Sequence, residues 1–142
     1  MTITSRAVPA LAIVLSASLG ARSLTRGQRG GSRIHEIHME MSGNSYRFAP
    51  AAMAVTRGDT VLFVVTSGEP HDVAFDTSTM TATMKRTLNG KIHDPIAPFA
   101  GPLLVHRGDR FVMDTRDLPL GEYPFYCLPH FVLQMKGVVT IK

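Results

Sequence analysis

Three side chains that commonly bind soft metal ions stand close together near the end of the sequence: Cys127, His130 and Met135. Cys127 is the only cysteine of the 142 residues, so it cannot form a disulfide within the chain. Its thiol could be a buried inert group, a catalytic nucleophile or a metal ligand, and a lone cysteine by itself favours the first. Leu128 and Pro129 turn the chain just before His130, which lets the thiol and the imidazole face one point.

The combination of a thiolate, an imidazole and a thioether favours a copper ion that cycles between Cu(I) and Cu(II). Structural zinc usually takes four Cys and His ligands, and thioether sulfur is a poor ligand for it. A trigonal copper site needs a second imidazole. We predict His71 for that place, because Pro70 precedes it and a predicted strand follows it. The remaining histidines are predicted to be surface residues: His35, His38, His93 and His106.

The elements that must position these residues are predicted to be short strands. Residues 34–41 alternate between two sets of side chains, which is typical of a strand, and twelve Gly and nine Pro indicate many turns. We count about seven or eight strands and predict an all-β fold, a Greek-key β-sandwich, with one short helix in residues 76–102. The phrase Arg-Gly-Asp occurs at 57–59 and 107–109, and we expect equivalent turns that enter strands of the two packed sheets.

The first 33 residues are predicted to lie outside this domain. Residues 1–21 resemble a secretory signal peptide, with an apolar run that ends in small residues. Residues 22–33 are rich in Gly and Arg and are typical of a flexible linker. The folded domain is therefore expected at 34–142, in a periplasmic or secreted protein that contacts a membrane only if the signal remains uncleaved.

The charge of the chain excludes one class of partner. Five of the fifteen Lys and Arg residues precede residue 34, which leaves ten of them against eleven Asp and Glu, a net charge of −1 for the predicted domain. A nearly neutral domain lacks the basic face that nucleic-acid binding requires.

Two motifs make the sequence resemble a cupredoxin of the plastocyanin-like subfamily. The first is Gly68-Glu69-Pro70-His71 followed by "DVAFD", and the second is Phe125-Tyr126-Cys127-x2-His130-x4-Met135-x-Gly137. The resemblance covers roughly residues 34–142. It implies one type 1 copper, with His71, Cys127 and His130 as equatorial ligands and Met135 as the long axial ligand. Pro70 and Asp72 would flank the first ligand. The family usually has Asn where this chain has Asp72, and the acidic patches of plant plastocyanins have no evident counterpart.

The resemblance also implies a docking surface for redox partners around the last histidine ligand. One or two of the five apolar residues predicted for this surface are expected to fill the core instead. Tyr126, beside the thiolate, is a candidate second electron route. The apolar residues of this surface are Leu128, Pro129, Phe131, Val132 and Leu133.

Three functions follow from these patterns. The first is a one-electron carrier that is not an enzyme, acts as a monomer and docks transiently with redox proteins outside the cytoplasm. The second is a periplasmic copper-binding or delivery protein that would use methionines such as Met80 and Met84 as transient Cu(I) donors. The third is a cupredoxin fold that serves only as an interaction module, which an intact ligand set argues against.

Overall fold

A computed structural model describes residues 31–142, and the predicted signal peptide and most of the predicted linker lie outside this range. The described chain contains eight strands, one α-helix (α1, Ala82–Asn89) and one 3₁₀ turn (Phe131–Leu133). No helix among these residues is long and apolar enough to cross a membrane. The strands are β1 (Ile34–Ser42), β2 (Ser45–Ala49), β3 (Ala52–Val55), β4 (Thr60–Val65), β5 (Ala74–Phe75), β6 (Arg110–Asp114), β7 (Gly121–Tyr126) and β8 (Lys136–Ile141).

The strands form two four-stranded sheets, with the orders β2-β1-β4-β6 and β3-β8-β7-β5. One pair in each sheet is parallel, β1 with β4 and β3 with β8, and the other pairs are antiparallel. The chain changes sheet at every step from β2 to β7, whereas β1 and β2 share the first sheet and β7 and β8 share the second. The predicted all-β sandwich is therefore confirmed, and so is the short helix within residues 76–102.

An aromatic cluster holds the two sheets together. Phe125 of the second sheet packs edge-to-face on Phe48 and Phe63 of the first, with ring centroids 4.7 Å and 5.0 Å apart. The alternation predicted for β1 is present, since Ile37 and Met39 are fully buried and their neighbours in sequence are not. Because side chains of both sheets interdigitate, the separation of the sheets is fixed by the core.

The expectation that the two Arg-Gly-Asp turns enter strands of different sheets is wrong. They lead into β4 and β6, which are antiparallel neighbours in one sheet, so the turns lie at opposite ends of it. A repeated phrase specifies a turn and the strand after it, whereas sheet membership depends on long-range pairing. The two aspartates do play the same part: Asp59 accepts the Thr56 N–H, and Asp109 accepts the N–H groups of Val105 and His106.

Asp59 also ties the start of β1 to the turn before β4. Its carboxylate accepts the Arg33 N–H at 3.0 Å and lies 2.9 Å from His35 Nε2. The Arg33 N–H, followed by His35, lowers the pKa of this carboxyl below its ordinary value of 3.8. The ionised form is thus favoured in the folded chain.

We expect Asp59→Asn to lower the free energy of unfolding at neutral pH. A carboxyl with a lowered pKa stabilises the fold above its unfolded pKa, and the stabilisation is lost as the pH falls through the folded pKa. The difference between the parent and the variant should therefore vanish in strong acid. Urea unfolding across the pH range measures it. A difference that does not depend on pH would contradict the assignment.

Candidate metal centre

His71 lies in the connection that leads from β4 of the first sheet to β5 of the second. Its main chain exchanges two hydrogen bonds with Leu104, at 2.9 Å and 2.8 Å, which holds the residue in place. Its Nε2 lies 2.8 Å from the carbonyl oxygen of Ser67. Because a carbonyl only accepts hydrogen bonds, Nε2 carries the proton, and Nδ1 is the free nitrogen that can bind a metal.

Cys127 and His130 lie in the loop between β7 and β8 of the second sheet. The loop is closed by the Cys127 N–H, which donates to the Met135 carbonyl at 3.0 Å, and by the His130 N–H, which donates to the Cys127 carbonyl at 3.2 Å. The 3₁₀ turn follows His130, and Gln134 takes a left-handed conformation at its end. This path returns the chain to Met135, whose side chain is 1% exposed.

The structure brings His71, Cys127 and His130 together. Cys127 Sγ lies 3.7 Å from His71 Nδ1 and 3.4 Å from His130 Nδ1, and the three ligand atoms all lie within 4.8 Å of one another. Three donors at metal–ligand bond lengths of about 2.0–2.3 Å, spaced evenly in one plane, would be about 3.5–4 Å apart. The observed spacing therefore fits a metal ion, and the two imidazoles and one thiol suit copper.

Burial shifts the titration of each of these groups. It lowers the pKa of His71 and, together with the neighbouring His71, that of His130, which favours the neutral imidazoles that bind metals. It also raises the pKa of Cys127 to about 11, although the N–H groups of Asp72 and His130 point at the sulfur. The thiol is thus protonated in the metal-free pocket at neutral pH, and a metal that binds the thiolate has to displace that proton.

Asp72 joins the two loops that carry these residues. Its Oδ1 accepts the Leu128 N–H at 2.7 Å, 56 residues away in the sequence. The side chain is fully buried, and Oδ2 has no hydrogen-bond partner among the described residues. Burial raises the pKa of this carboxyl. An aspartate can therefore bridge the loops as an acceptor, and its carboxyl group also lies beside the Cys127 thiol.

Sequence reasoning missed Tyr46 of β2. Its ring stacks on the His130 imidazole with centroids 3.7 Å apart and an interplanar angle of 15°. Gly68 lies against the same ring, since a Cβ on Gly68 would come within 3.0 Å of Tyr46 Cε1 and within 2.7 Å of Met41 Cβ. A stack between distant strands leaves no signal in the spacing of residues, so only the tertiary structure reveals it.

An apolar patch surrounds His130, which is itself 8% exposed. The expectation that one or two of its predicted residues fill the core is wrong, because all five are exposed, Val132 the most at 83%. Phe131, Val132 and Leu133 form the 3₁₀ turn, which has no buried residue. Tyr126 is half-buried, and its ring meets Phe131 at a centroid distance of 5.2 Å.

The other candidate donors are not near the centre. His35 and His38 lie on opposite faces of β1, and His38, His93 and His106 are exposed, as predicted, but His35 is half-buried against Asp59 and is not the surface residue expected. Met80 and Met84 are buried in the hydrophobic core at 6% and 7% exposure. Neither of these two methionines is available at the surface as a Cu(I) donor.

Comparison with known proteins gives a consistent result. The profile of the family "Copper binding proteins, plastocyanin/azurin family" matches residues 35–142. The plastocyanin of Ginkgo biloba is 30% identical over 106 residues, which cover 75% of this chain and 98% of that protein. The plastocyanin of Prochlorothrix hollandica is 31% identical over 108 residues, with coverages of 75% and 72%.

Among solved structures, the oxidised plastocyanin of Dryopteris crassirhizoma aligns with a TM-score of 0.62 and 25% identity, over 76% of this chain and all of that one. A pseudoazurin of Hyphomicrobium denitrificans shares the fold, with a TM-score of 0.53, 22% identity, and coverage of 76% of this chain and 74% of that one.

The buried carboxyl of Asp72 leads to a prediction for the metal-free protein. Asp72→Asn keeps an acceptor for the Leu128 N–H and replaces a carboxyl whose charged form is disfavoured by burial with a neutral amide, so we expect the free energy of unfolding at neutral pH to rise by about 1 kcal/mol. Asp72→Ala leaves the partly buried Leu128 N–H without an acceptor and should lower the free energy of unfolding by about 1–3 kcal/mol. Urea unfolding of the two variants provides the comparison. Equal losses in both would show that burying the carboxyl group does not destabilise the fold.

Proposed function

The chain belongs to the plastocyanin/azurin family of copper-binding proteins, and we propose that His71, Cys127 and His130 hold one copper ion with Met135 as the fourth ligand. Copper bound by these donors supplies a centre that can gain and lose one electron. The observation that carries the assignment is the clustering of two buried imidazole nitrogens and one buried thiol within 4.8 Å. The chain is a one-electron carrier.

The protein's own residues would prepare the centre for this role. The hydrogen bond from His71 Nε2 to Ser67 fixes the ring and its tautomer, and the Tyr46 stack restrains the His130 ring. Fixed ligands change little between the two oxidation states, which favours fast electron transfer. All four proposed ligands are buried protein side chains, so we propose electron transfer without turnover of a substrate.

We propose that electrons enter and leave through the apolar patch around His130. The loop 127–135 and the segment 41–46, which contains Tyr46, have no charged side chain. A small apolar surface of this kind suits brief docking with a redox protein. The ring of Tyr126, edge-on to Phe131, offers a second route at the margin of the patch.

We propose further that the chain works outside the cytoplasm, as residues 1–21 indicate. The organisation into a signal peptide at 1–21, a linker at 22–33 and a copper domain at 34–142 belongs to the same proposal. We expect the mature protein to begin near residue 21 or 22, which mass spectrometry of exported material would measure. Exported protein with the mass of the whole chain would contradict cleavage, and retention in the cytoplasm would contradict the location.

Copper binding gives the direct test of the proposed centre. With Cu(II) added, the purified protein should show the intense visible charge-transfer band of a copper–thiolate bond. Cys127→Ser should abolish this band, because the variant has no thiolate to supply the electron density. The measurement is an absorption spectrum during titration with Cu(II). A colourless parent protein, or a band that survives in Cys127→Ser, would sink the proposal.

Val132→Ser is the matched control for this test. Residue 132 is exposed and is not a proposed ligand, so its variant should keep the band at full intensity. Its electron exchange with a c-type cytochrome should slow severalfold, because the docking surface has lost apolar area. An unchanged rate would place the electron port elsewhere while leaving the copper assignment intact.

A further inference from the structure

Strand β6 is an edge of the first sheet, and its hydrogen bonds show which of its main-chain N–H and C=O groups point away from the sheet. The Val65 N–H donates to the Asp109 carbonyl at 3.0 Å, and the Thr115 N–H donates to the Asp59 carbonyl at 3.1 Å. Main-chain groups alternate in direction along an antiparallel strand. The main-chain N–H and C=O groups of the odd-numbered residues from 109 to 115 therefore point toward β4. Those of the even-numbered residues point away from β4, past the edge of the sheet.

The outward-facing residues are Arg110, Val112 and Asp114. Within the described range, 31–142, their N–H and C=O groups make no hydrogen bond on that side. Their side chains lie on the outer face of the sheet, where Val112 is 52% exposed. An edge with free N–H and C=O groups is a template for pairing with another strand.

We propose that two copies of this chain associate through β6, as antiparallel neighbours related by a two-fold axis through Val112. This inference goes beyond the electron-carrier role and replaces the monomer expected from the sequence. The association would join the first sheet of one copy to the first sheet of the other, which gives one eight-stranded sheet.

The register of this pairing follows from two independent requirements. Only the alignment of Val112 with Val112 of the second copy places all three outward residues opposite one another, and it forms six hydrogen bonds. The same alignment sets Arg110 opposite Asp114 of the second copy, and Asp114 opposite its Arg110. Opposite charges at directly paired positions stabilise a sheet, and like charges destabilise it. The register that satisfies the main chain is thus the one that matches the charges.

Residues 90–94 lie beside this edge, and open clefts separate them from β6. Clefts of about 190 Å³ and 210 Å³ lie beside it, and both are lined by Lys91, His93 and Val112. Lys91 Nζ lies 3.6 Å from Asp114 Oδ2 but closer, at 3.2 Å, to Asp117 Oδ2. Lys91 therefore contacts both carboxylates, but the Asp114 side chain is 42% exposed and an arginine from outside can still reach it.

Pairing through β6 leaves the proposed electron ports free. The strands of the two copies run in opposite directions, so the two His130 patches would lie at opposite ends of the joined sheet. Each port could then meet its own redox partner.

Charge reversal tests this interface directly. In Arg110→Asp both cross-strand pairs become acidic, and in Asp114→Arg both become basic, so each variant alone should dimerise at least tenfold more weakly than the parent. Mixed together, the two variants pair Asp with Arg at both positions. Analytical ultracentrifugation should show the parent dimer, two monomeric variants and a restored heterodimer. Circular dichroism of each variant establishes that the sandwich is folded.

Three outcomes would overturn the proposal. The first is a parent protein that stays monomeric over a hundredfold range of concentration. The second is a dimer that either reversal leaves intact. The third is a dimer that Val132→Ser abolishes, because the copies would then meet through the apolar patch instead of β6.

Discussion

The candidate metal centre depends on Asp72, which ties together two loops far apart in the sequence: its carboxylate accepts the Leu128 N–H, and its own N–H points at the Cys127 sulfur. One loop leaves β4 of the first sheet and carries His71, and the other joins β7 to β8 of the second sheet and carries Cys127 and His130. The ligand atoms can lie within 4.8 Å only if the sheets hold a fixed separation. The aromatic cluster at Phe125 provides that separation, so the geometry of the site depends on the packing of the core.

Burial is the second constraint. The three donors and Asp72 are buried, and each pKa moves toward the neutral form of its group. Neutral imidazoles are ready to bind a metal, whereas a thiol with a pKa of about 11 is not. The pocket is therefore arranged for an ion that can pull the proton from Cys127, and the uptake of copper is coupled to the release of a proton.

Two regions of the surface differ in charge: the loop at the candidate metal centre and the edge strand β6. At the metal centre the chain is uncharged from residue 127 to residue 135, and apolar side chains stand out from the 3₁₀ turn. Along β6, by contrast, charges of opposite sign flank one exposed valine. An apolar patch permits weak contact with varied partners, while a strand edge with matched charges selects one partner in one register.

The sequence by itself determined the kind of site and the class of fold. The Cys-x2-His-x4-Met spacing is local, because all three residues lie in one loop, and period-two alternation revealed strands such as β1. It could not decide that both Arg-Gly-Asp turns serve one sheet, that all five patch residues are exposed, or that Tyr46 stacks on His130. Those features arise from contacts between segments distant in the chain. Such contacts depend on how the two sheets pack, and residue spacing carries no record of them.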